Sequence, residues 1–343
     1  MNLKETFEKA NPTGFYVDAS DKNGIEQYLR KAKFIKNGEL IETTSVPGAG
    51  NMNLVLRVTT NQRSFILKQA RPWVEKYPTI AAPAHRSQVE AQFYQQIQNS
   101  TDLQNMMPDL LYEDPESCIL LFQDLGDTTD FTEIYNGTPM SRTELRKLTD
   151  YLQGLHQTSV QDTITNIEMR KLNHEHIFII PFLEDNGLDL DQFTPRLKTV
   201  AEEITDEALR NAAQELGALY LSTGDTLLHG DYYPGSWLKN DEQLFIIDPE
   251  FGFHGSKEFD LGVFIAHLII SSQPQKDISY VVEKYAKNIN IDHEKVIGFA
   301  GIEILRRLLG VAQLPLTLDL MGKKRMMERA KEMVLRPNQN HFK

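Results

Sequence analysis

The sequence LHGDYYPGS at positions 228–236, followed by IIDPE at 246–250, is the most informative stretch of this chain. Asp231 comes after a glycine and before a Tyr-Tyr-Pro-Gly run, a composition typical of a constrained loop. Residues 244–247 are apolar and rich in branched side chains, which predicts a short buried strand. Asp248 stands at the end of that strand. The pattern therefore predicts one carboxylate on a rigid loop and another at a strand end.

Residues of these types in this order are typical of enzymes that transfer a phosphoryl group from ATP to an alcohol. Asp231 is the predicted catalytic base, which orients the attacking hydroxyl and accepts its proton. Asp248, Glu250 and Ser236 are the predicted ligands of Mg²⁺, a cation that needs few protein oxygens beside phosphates and waters. In the alternative interpretation, the two later acids cap a turn and Asp231 begins an ordinary loop.

A glycine-containing turn is the first candidate nucleotide site. The sequence VPGAGNMNLVLRV at 46–58 predicts two strands joined by this turn. Glycine lets a backbone approach phosphate groups closely and present its N–H groups to them. Gly48 and Gly50 are therefore the predicted nucleotide-binding residues of the turn. Glycine turns are also common in hairpins that bind nothing.

A lysine and a glutamate complete the predicted nucleotide site. The segment FILK at 65–68 predicts a strand that ends in Lys68. Glu90 lies in 88–94, a segment with the composition of a helix. A strand lysine paired with a helix glutamate holds the α- and β-phosphates of ATP in protein-kinase-like folds. The alternative is that both residues are ordinary surface charges.

The combination of HGD at 229–231 with DPE at 248–250 resembles the aminoglycoside phosphotransferase and choline kinase superfamily, whose fold is similar to that of protein kinases. Within it, the chain most resembles the methylthioribose kinase family. That family has a similar glycine loop, which implies that Asn51 and Asn53 also bind the nucleotide. It also has a stretch like KQARPWV at 68–74 and a catalytic loop that ends in Gly-Ser. The resemblance implies a protein-kinase-like, two-lobed α+β fold, with ATP and Mg²⁺ as cofactors and a small hydroxylated acceptor.

The same resemblance implies that two adjacent arginines, Arg306 and Arg307, contact the acceptor. Adjacent residues on a helix point about 100° apart, so the two cannot both lie centrally on one apolar face. Their neighbours are mostly apolar, and at least one guanidinium group must therefore reach a cleft or a buried acid. The alternative partner is an acid such as Glu303, through a salt bridge.

Some segments depart from the methylthioribose kinase pattern. Tyr-Tyr-Pro occupies 232–234, where the family usually has Leu-His-Thr, and His254 replaces a usual tyrosine. The segment LNHEHIF at 172–178 matches nothing in the family. Its histidines, His174 and His176, predict a wall of the acceptor pocket or a loop hydrogen bond rather than a metal site, because no third ligand stands at suitable spacing.

These departures leave the acceptor open. The first hypothesis is a kinase for a sugar-like alcohol such as 5-methylthioribose. The second is a kinase for a cationic or amino-alcohol acceptor, such as an aminoglycoside, choline or homoserine, and an acidic acceptor pocket would favour it. The third is a non-catalytic regulator that binds ATP. The presence of Asp231 argues against the third, since a binding protein needs no base.

Strands come first and helices afterwards, an order that predicts an α+β fold rather than repeated strand–helix–strand units. The predicted small, β-rich nucleotide-binding lobe covers 1–122, and the larger, mainly helical catalytic and acceptor-binding lobe covers 127–343. Between them, QDLG at 123–126 resembles a kinase hinge, in which Gln123 comes first and backbone groups hydrogen-bond adenine. The predicted elements are three strands within 41–70, strands at 110–112 and 119–122, and helices at 86–98, 143–157, 208–221, 259–270, 280–287 and 293–309.

The 343 residues carry a formal charge of −12 and no basic run, which argues against nucleic acid or an anionic membrane as a partner. No signal peptide and no run of about 18 apolar residues is visible. The single cysteine, Cys118, excludes a disulfide within the chain and is typical of a reducing compartment. We therefore expect a cytoplasmic protein, and the resemblance implies a homodimer.

Overall fold

A five-stranded antiparallel sheet forms the centre of the first of two compact units, Met1–Thr128. The computed structural model describes residues 2–48, 50–159, 161–314 and 316–342, so Ala49 of the glycine turn lies outside the described residues. The elements of this unit are α1 (Leu3–Ala10), α2 (Lys22–Lys31), β1 (Ile41–Ser45), β2 (Leu54–Thr60), β3 (Ser64–Gln69), β4 (Trp73–Val74), β5 (Tyr77–Ala81), α3 (Arg86–Ile97), α4 (Thr101–Gln104), β6 (Leu110–Asp114) and β7 (Ile119–Gln123). The sheet order is β1-β2-β3-β7-β6.

Alternating side chains give this sheet two different faces. In β2, Leu54, Leu56 and Val58 are buried while the residues between them are partly exposed, the period of two expected of a strand. Their face packs with Ile25 and Leu29 of α2 into one core. A smaller apolar cluster joins α3 to β7 on the opposite face. The sheet is therefore covered by helices on both sides.

Helices dominate the second unit, Thr129–Lys343. Its elements are β8 (Thr129–Asp130), α5 (Arg142–His156), α6 (Ile167–His174), α7 (Leu197–Ile204), α8 (Glu207–Leu221), β9 (Thr226–Leu228), β10 (Trp237–Lys239), β11 (Leu244–Ile246), β12 (Phe253–Gly255), α9 (Glu258–Ile270), α10 (Gln275–Ala286), α11 (His293–Leu309) and α12 (Leu320–Leu335). Helix α9 is buried along its whole length, as its apolar sequence predicts, and it packs against α11. The short strands form two small antiparallel sheets, β8-β10-β11 and β9-β12.

The predicted elements are all present, and the order of a strand-rich first unit and a helical second unit confirms the α+β prediction. Differences are local: β1 ends at Ser45 and β2 begins only at Leu54, whereas the sequence predicts strand residues from 46 onward, and α10 begins at Gln275 rather than near 280. The two units divide between Thr128 and Thr129, whereas the hinge at 123–126 stays a prediction. Of the helices that the structure describes, none combines the length and apolar character needed to span a membrane.

Candidate active site

The loop after β9 is fixed by an acid at the start of α9. The carboxylate of Asp260 accepts hydrogen bonds from the backbone N–H groups of His229, at 2.7 Å, and Gly230, at 3.0 Å. The imidazole Nε2 of His229 lies 3.0 Å from the backbone oxygen of Ile247, which ties the loop to the end of β11. Asp231 follows directly on this anchored turn. Its position therefore depends on backbone contacts of its neighbours and not on its own side chain.

Only glycine fits at position 230. The backbone of Gly230 has a φ of +81°, in the left-handed region that other residues rarely adopt. A Cβ atom there would lie 2.2 Å from the backbone oxygen of Phe251, which is far closer than any real contact. The glycine of the HGD motif therefore lets the catalytic loop approach the turn that follows Asp248.

Asp231 is partly buried beside an arginine. Its Oδ1 lies 3.7 Å from Nη2 of Arg307, and 22% of its side chain is exposed. Burial raises the pKa of Asp231 to about 6, against the opposing influence of Arg307 and then Arg306. A carboxylate with a pKa slightly below neutral pH suits a general base, because it is ionised and can still accept a proton.

This raised pKa predicts an acid limb in the pH profile of catalysis. We expect kcat/KM to fall as the pH drops through about 6, because protonation of Asp231 removes the base. Arg307→Met removes the guanidinium group that lowers this pKa, so the limb of the variant moves to higher pH. Arg336→Met is the control, since that side chain is 76% exposed, and it leaves the limb in place. A limb that stays or moves to lower pH in Arg307→Met contradicts this account.

Two predicted metal ligands lie on the turn after β11. Asp248 has left-handed backbone angles, φ +62° and ψ +50°, which are uncommon outside glycine and often mark functional positions. Glu250 is buried, and its backbone oxygen accepts a hydrogen bond from the side-chain amide of Asn166. Within the described ranges, no group of three or more His, Cys, Asp and Glu side chains could hold a metal ion. A metal bound here therefore needs ligands from outside the protein as well.

The donor set fits Mg²⁺ on these terms. Asp248, Glu250 and Ser236 offer hard oxygen atoms, and Mg²⁺ usually takes one or two carboxylates and completes its coordination with phosphates and waters. Ser236 is buried, and its hydroxyl donates to the backbone oxygen of Asp231 at 3.0 Å, so the lone pairs of the hydroxyl oxygen point elsewhere. The three residues are chemically suited to a Mg²⁺ ion that the phosphates of ATP also bind. Their role as ligands stays a prediction.

Both arginines of the predicted acceptor site bind one buried glutamate. Glu303 accepts hydrogen bonds from Nη1 of Arg306, at 3.0 and 2.8 Å, and from Nε of Arg307, at 2.6 Å. The salt bridge considered as an alternative is therefore present for both arginines. It leaves two donors over, because Nε of Arg306 and Nη2 of Arg307 are buried without a hydrogen-bond partner in the described part of the chain. Since buried N–H groups are seldom left without a partner, both donors are available to the oxygen atoms of a ligand.

A histidine and two tyrosines complete this network, and the sequence analysis did not identify them. Nε2 of His267 lies 3.1 Å from Glu303, and Nδ1 lies 2.6 Å from the hydroxyl of Tyr135. Burial lowers the pKa of His267 to about 4, so its imidazole is neutral and donates from Nε2 to the carboxylate. The guanidinium group of Arg307 lies over the ring of Tyr233, 4.7 Å from its centre. Tyr135 and His267 belong to no sequence motif, whereas Tyr233 lies in the loop at 228–236, where the sequence showed it only as a departure from the family pattern.

In the first unit, the predicted ion pair of Lys68 and Glu90 is present. Nζ of Lys68 lies 2.7 Å from Oε2 of Glu90, and both side chains are buried. Lys68 lies on the face of β3 opposite to Phe65 and Leu67, which is the face that α3 covers. The alternative of two surface charges is therefore wrong. Because a buried ion pair adds little to stability, a function in ligand binding explains this pair better.

The glycine turn is open at Gly48 and anchored at its end. Neither Gly48 nor Gly50 has a positive φ, and a Cβ atom at Gly48 would meet nothing within 4 Å. Turn geometry thus does not require glycine there, whereas the close approach of a ligand would. At the end of the turn, Asn53 accepts a hydrogen bond from Nε of Arg86 at 3.0 Å, and the backbone oxygen of Asn51 accepts one from the β4–β5 hairpin. These contacts hold the turn, and its nucleotide-binding role stays a prediction.

Gln123 ends β7, and a neighbouring loop holds its side chain. Its Oε1 accepts a hydrogen bond from the backbone N–H of Asp109 at 3.3 Å. Just beyond it, Arg57 of β2 pairs with Asp124 at 2.9 Å and donates to the backbone oxygen of Gly126 at 2.7 Å. The segment is therefore fixed to the sheet of the first unit, and the contact with adenine stays a prediction.

Comparisons with known proteins agree with a site for phosphoryl transfer. A model of the family described as "Phosphotransferase enzyme family" matches residues 43–287. Methylthioribose kinase from Bacillus velezensis is 26% identical, over 88% of this chain and 86% of the relative. Methylthioribose kinase from a Geobacillus species is 27% identical, over 77% of each chain. Arg306 and Arg307 lie beyond the segment that the family model matches.

Solved structures share the fold at low sequence identity. Choline kinase LicA from Streptococcus pneumoniae matches with a TM-score of 0.52 and 14% identity, over 90% of this chain and 98% of that chain. Spectinomycin phosphotransferase in complex with ADP and spectinomycin matches with a TM-score of 0.53 and 15% identity, over 91% and 97%. These neighbours are protein-kinase-like phosphotransferases, which confirms the predicted fold class.

Proposed function

Because the chain belongs to the phosphotransferase enzyme family, we propose that it phosphorylates a hydroxyl group of a small, uncharged, sugar-like acceptor such as 5-methylthioribose. The family and the relatives make the protein an ATP-dependent small-molecule kinase. The observation that carries the choice of acceptor is the positive charge beside Asp231. The names of the relatives, which are methylthioribose kinases, support the same choice.

The charge next to the proposed base favours an uncharged acceptor. The guanidinium groups of Arg306 and Arg307 both act on Asp231, and Glu303 is buried and already bonded to both of them. A cationic acceptor such as choline or an aminoglycoside would meet these like charges next to the base. The oxygen atoms of a sugar instead accept hydrogen bonds from guanidinium groups. A cationic acceptor would be favoured by an acidic pocket, but the groups beside Asp231 are two arginines.

The residues around the base can then be given roles in the transfer. Asp231 would orient the acceptor hydroxyl and accept its proton as the hydroxyl oxygen attacks the γ-phosphorus of ATP and ADP leaves. The transition state of such a transfer is loose, so positioning contributes more than proton removal. Nη2 of Arg307, which lies 3.7 Å from Asp231 and has no hydrogen-bond partner in the described part of the chain, would stabilise charge on the transferred phosphoryl group. Nε of Arg306, which also has no such partner, would bind an acceptor oxygen.

Residues of the first unit would bind the nucleotide. Lys68, oriented by its ion pair with Glu90, would bind the α- and β-phosphates. The open backbone at Gly48 would allow phosphate oxygens to approach the N–H groups of the turn, and Gly50 would add its own N–H group. Asn51 would contribute backbone groups of the same turn, which the bond to the β4–β5 hairpin holds in place.

Residues of the second unit would hold the metal ion. Asp248 and Glu250 would bind it through carboxylate oxygens, and Ser236 would add its hydroxyl oxygen or bind a coordinated water. When bound, Mg²⁺ supplies the neutralisation of charge on the β- and γ-phosphates. The left-handed backbone of Asp248 turns the chain at the end of β11, where the carboxylate of Asp248 would bind the metal ion.

Turnover of a panel of acceptors tests this proposal. The protein with Mg²⁺ and ATP is offered 5-methylthioribose, other pentoses, choline, homoserine and several aminoglycosides, and the formation of ADP is measured. We expect kcat/KM for a pentose-type acceptor to exceed that for every cationic acceptor by about tenfold or more, since one like-charge contact costs at least about 1.4 kcal/mol. A cationic acceptor at the head of the panel would overturn the choice of acceptor and leave the kinase activity intact. Asp231→Asn, run in parallel, measures contaminating ATP hydrolysis.

A further inference from the structure

Helix α6 does not end as an ordinary helix but continues into a π-helical turn at Glu175–Ile179. The backbone N–H of Ile180 donates to the oxygen of Glu175, five positions back, where an α-helix would bond four positions back. Pro181 follows at once, and a proline has no N–H group with which to continue an α-helical ladder. Turns of this kind are rare and are frequent at functional sites.

Aromatic packing fixes the π-helical turn in the second unit. The ring of Phe178 lies 5.4 Å from Tyr220 on α8 and 6.3 Å from Phe299 on α11, and Ile177 beside it is also buried. His176 belongs to the same turn but is only half-buried. No hydrogen bond joins its imidazole to any residue in the described ranges. A rigid turn thus presents a polar ring that the protein itself does not use.

The π-helical turn packs against α11, the helix that carries the arginine pair. Burial, together with the positive charge of Arg306, lowers the pKa of His176, so the ring is neutral. Arg306 is held by Glu303 through Nη1, and its buried Nε has no partner in the described part of the chain. The same guanidinium group acts on Asp231. The turn that carries His176 lies along the same helix as Arg306, since Phe178 packs on Phe299 and a Cβ atom at Gly310 would lie 3.3 Å from Cγ of Pro181.

We propose that His176 is an acceptor-binding residue, which contacts the hydroxyl groups of the acceptor together with Nε of Arg306. A neutral imidazole offers one N–H donor and one nitrogen acceptor, so it can pair with a hydroxyl in either direction. Arg306 offers a donor only. The two groups match a polyhydroxylated, uncharged molecule, and a cation would be repelled by Arg306. The inference rests on the proposed function, since it assumes that the acceptor is sugar-like.

The first test separates acceptor binding from folding. His176→Phe keeps an aromatic ring and removes both nitrogens, and His176→Ala removes the ring. We expect either variant to raise the KM for the best pentose-type acceptor by about tenfold, the effect of one or two hydrogen bonds, and to leave the KM for ATP unchanged. His176→Gln, which keeps a donor and an acceptor, is expected to recover part of this loss. Melting temperatures show which variants are folded, and one folded variant without nitrogens is enough.

His174 provides a matched control in the same segment. Its ring packs against Phe178 and over Gly217 of α8, where a Cβ atom would lie 2.6 Å from Nε2 of His174. We expect His174→Gln to lower the melting temperature and to leave the KM for the acceptor unchanged. An equal rise of this KM in His174→Gln and His176→Phe would show a structural role for the turn and would overturn the proposal.

Deoxy acceptors give a readout that a structural role cannot produce. The wild-type protein is expected to discriminate against the analogue that lacks the hydroxyl bound by His176, and His176→Phe is expected to lose that discrimination for one analogue of the series. If no analogue behaves in this way while Asp231→Asn still abolishes turnover of the sugar, His176 is not an acceptor ligand and the proposed function stands. If the wild-type protein uses only a cationic acceptor, the proposed function and this inference both fail.

Discussion

Asp231→Asn is expected to lower kcat by about a hundredfold or more and to leave the affinity for ATP nearly unchanged. Asparagine has the size of aspartate but cannot accept the proton of the acceptor hydroxyl. The substitution should not displace the loop, because Asp260 holds it through the backbone N–H groups of His229 and Gly230. The loss therefore reports on the carboxylate of Asp231 and not on the shape of the loop.

The measurement compares this variant with one that changes a proposed metal ligand. For each protein, kcat with the best acceptor and the dissociation constant of ATP with and without Mg²⁺ are determined. Asp248→Asn is expected to lose Mg²⁺-dependent nucleotide binding, whereas Asp231→Asn keeps it. Unchanged turnover in Asp231→Asn would remove this residue from the role of base. Normal binding of Mg²⁺ and ATP by Asp248→Asn would remove that residue from the metal site.

Short-range features of the site could be predicted from the sequence. The loop before Asp231 and the strand before Asp248 depend on residues that are neighbours along the chain, so turn and strand propensities were enough. The pair of Lys68 and Glu90 lies further apart, and its prediction depended on the strand-lysine and helix-glutamate pattern of protein-kinase-like folds. The hinge and the lobe boundary at 122 rested on resemblance alone.

Features that depend on tertiary packing could not be predicted. Glu303 was considered as a partner for either arginine, but its bonds to both, and to His267 of α9, need the packing of α9 against α11. The spacing of His174 and His176 in the sequence does not show which of the two rings is packed against the protein. His174 ends α6, whereas His176 lies within the π-helical turn. The only local signal for this turn is Pro181, and proline is equally common where a helix simply ends.

Glu303→Gln is expected to lower the free energy of unfolding of the second unit by about 3 kcal/mol or more, because it leaves two buried guanidinium groups without their carboxylate. Burial alone would raise the pKa of Glu303, but Arg306 and Arg307 outweigh it and hold the pKa well below its ordinary value. Glutamine keeps the volume and one acceptor oxygen, so the loss measures the charge. Glu332→Gln is the matched control, since Glu332 is 50% exposed and pairs with an exposed arginine, and it should cost less than about 1 kcal/mol.

Fluorescence can follow the second unit by itself. The chain has two tryptophans, and in a Trp73→Phe background the remaining one, Trp237, is buried in the second unit. Urea denaturation of Glu303→Gln and Glu332→Gln in this background measures how much each substitution lowers the free energy of unfolding. Because the pKa of Glu303 is lower in the folded state, its contribution is present near neutral pH and disappears as the pH falls and the carboxylate is protonated. The difference in free energy of unfolding between the wild type and Glu303→Gln should therefore shrink in acid. If Glu303→Gln and Glu332→Gln lower this free energy equally at neutral pH, the two arginines do not depend on Glu303.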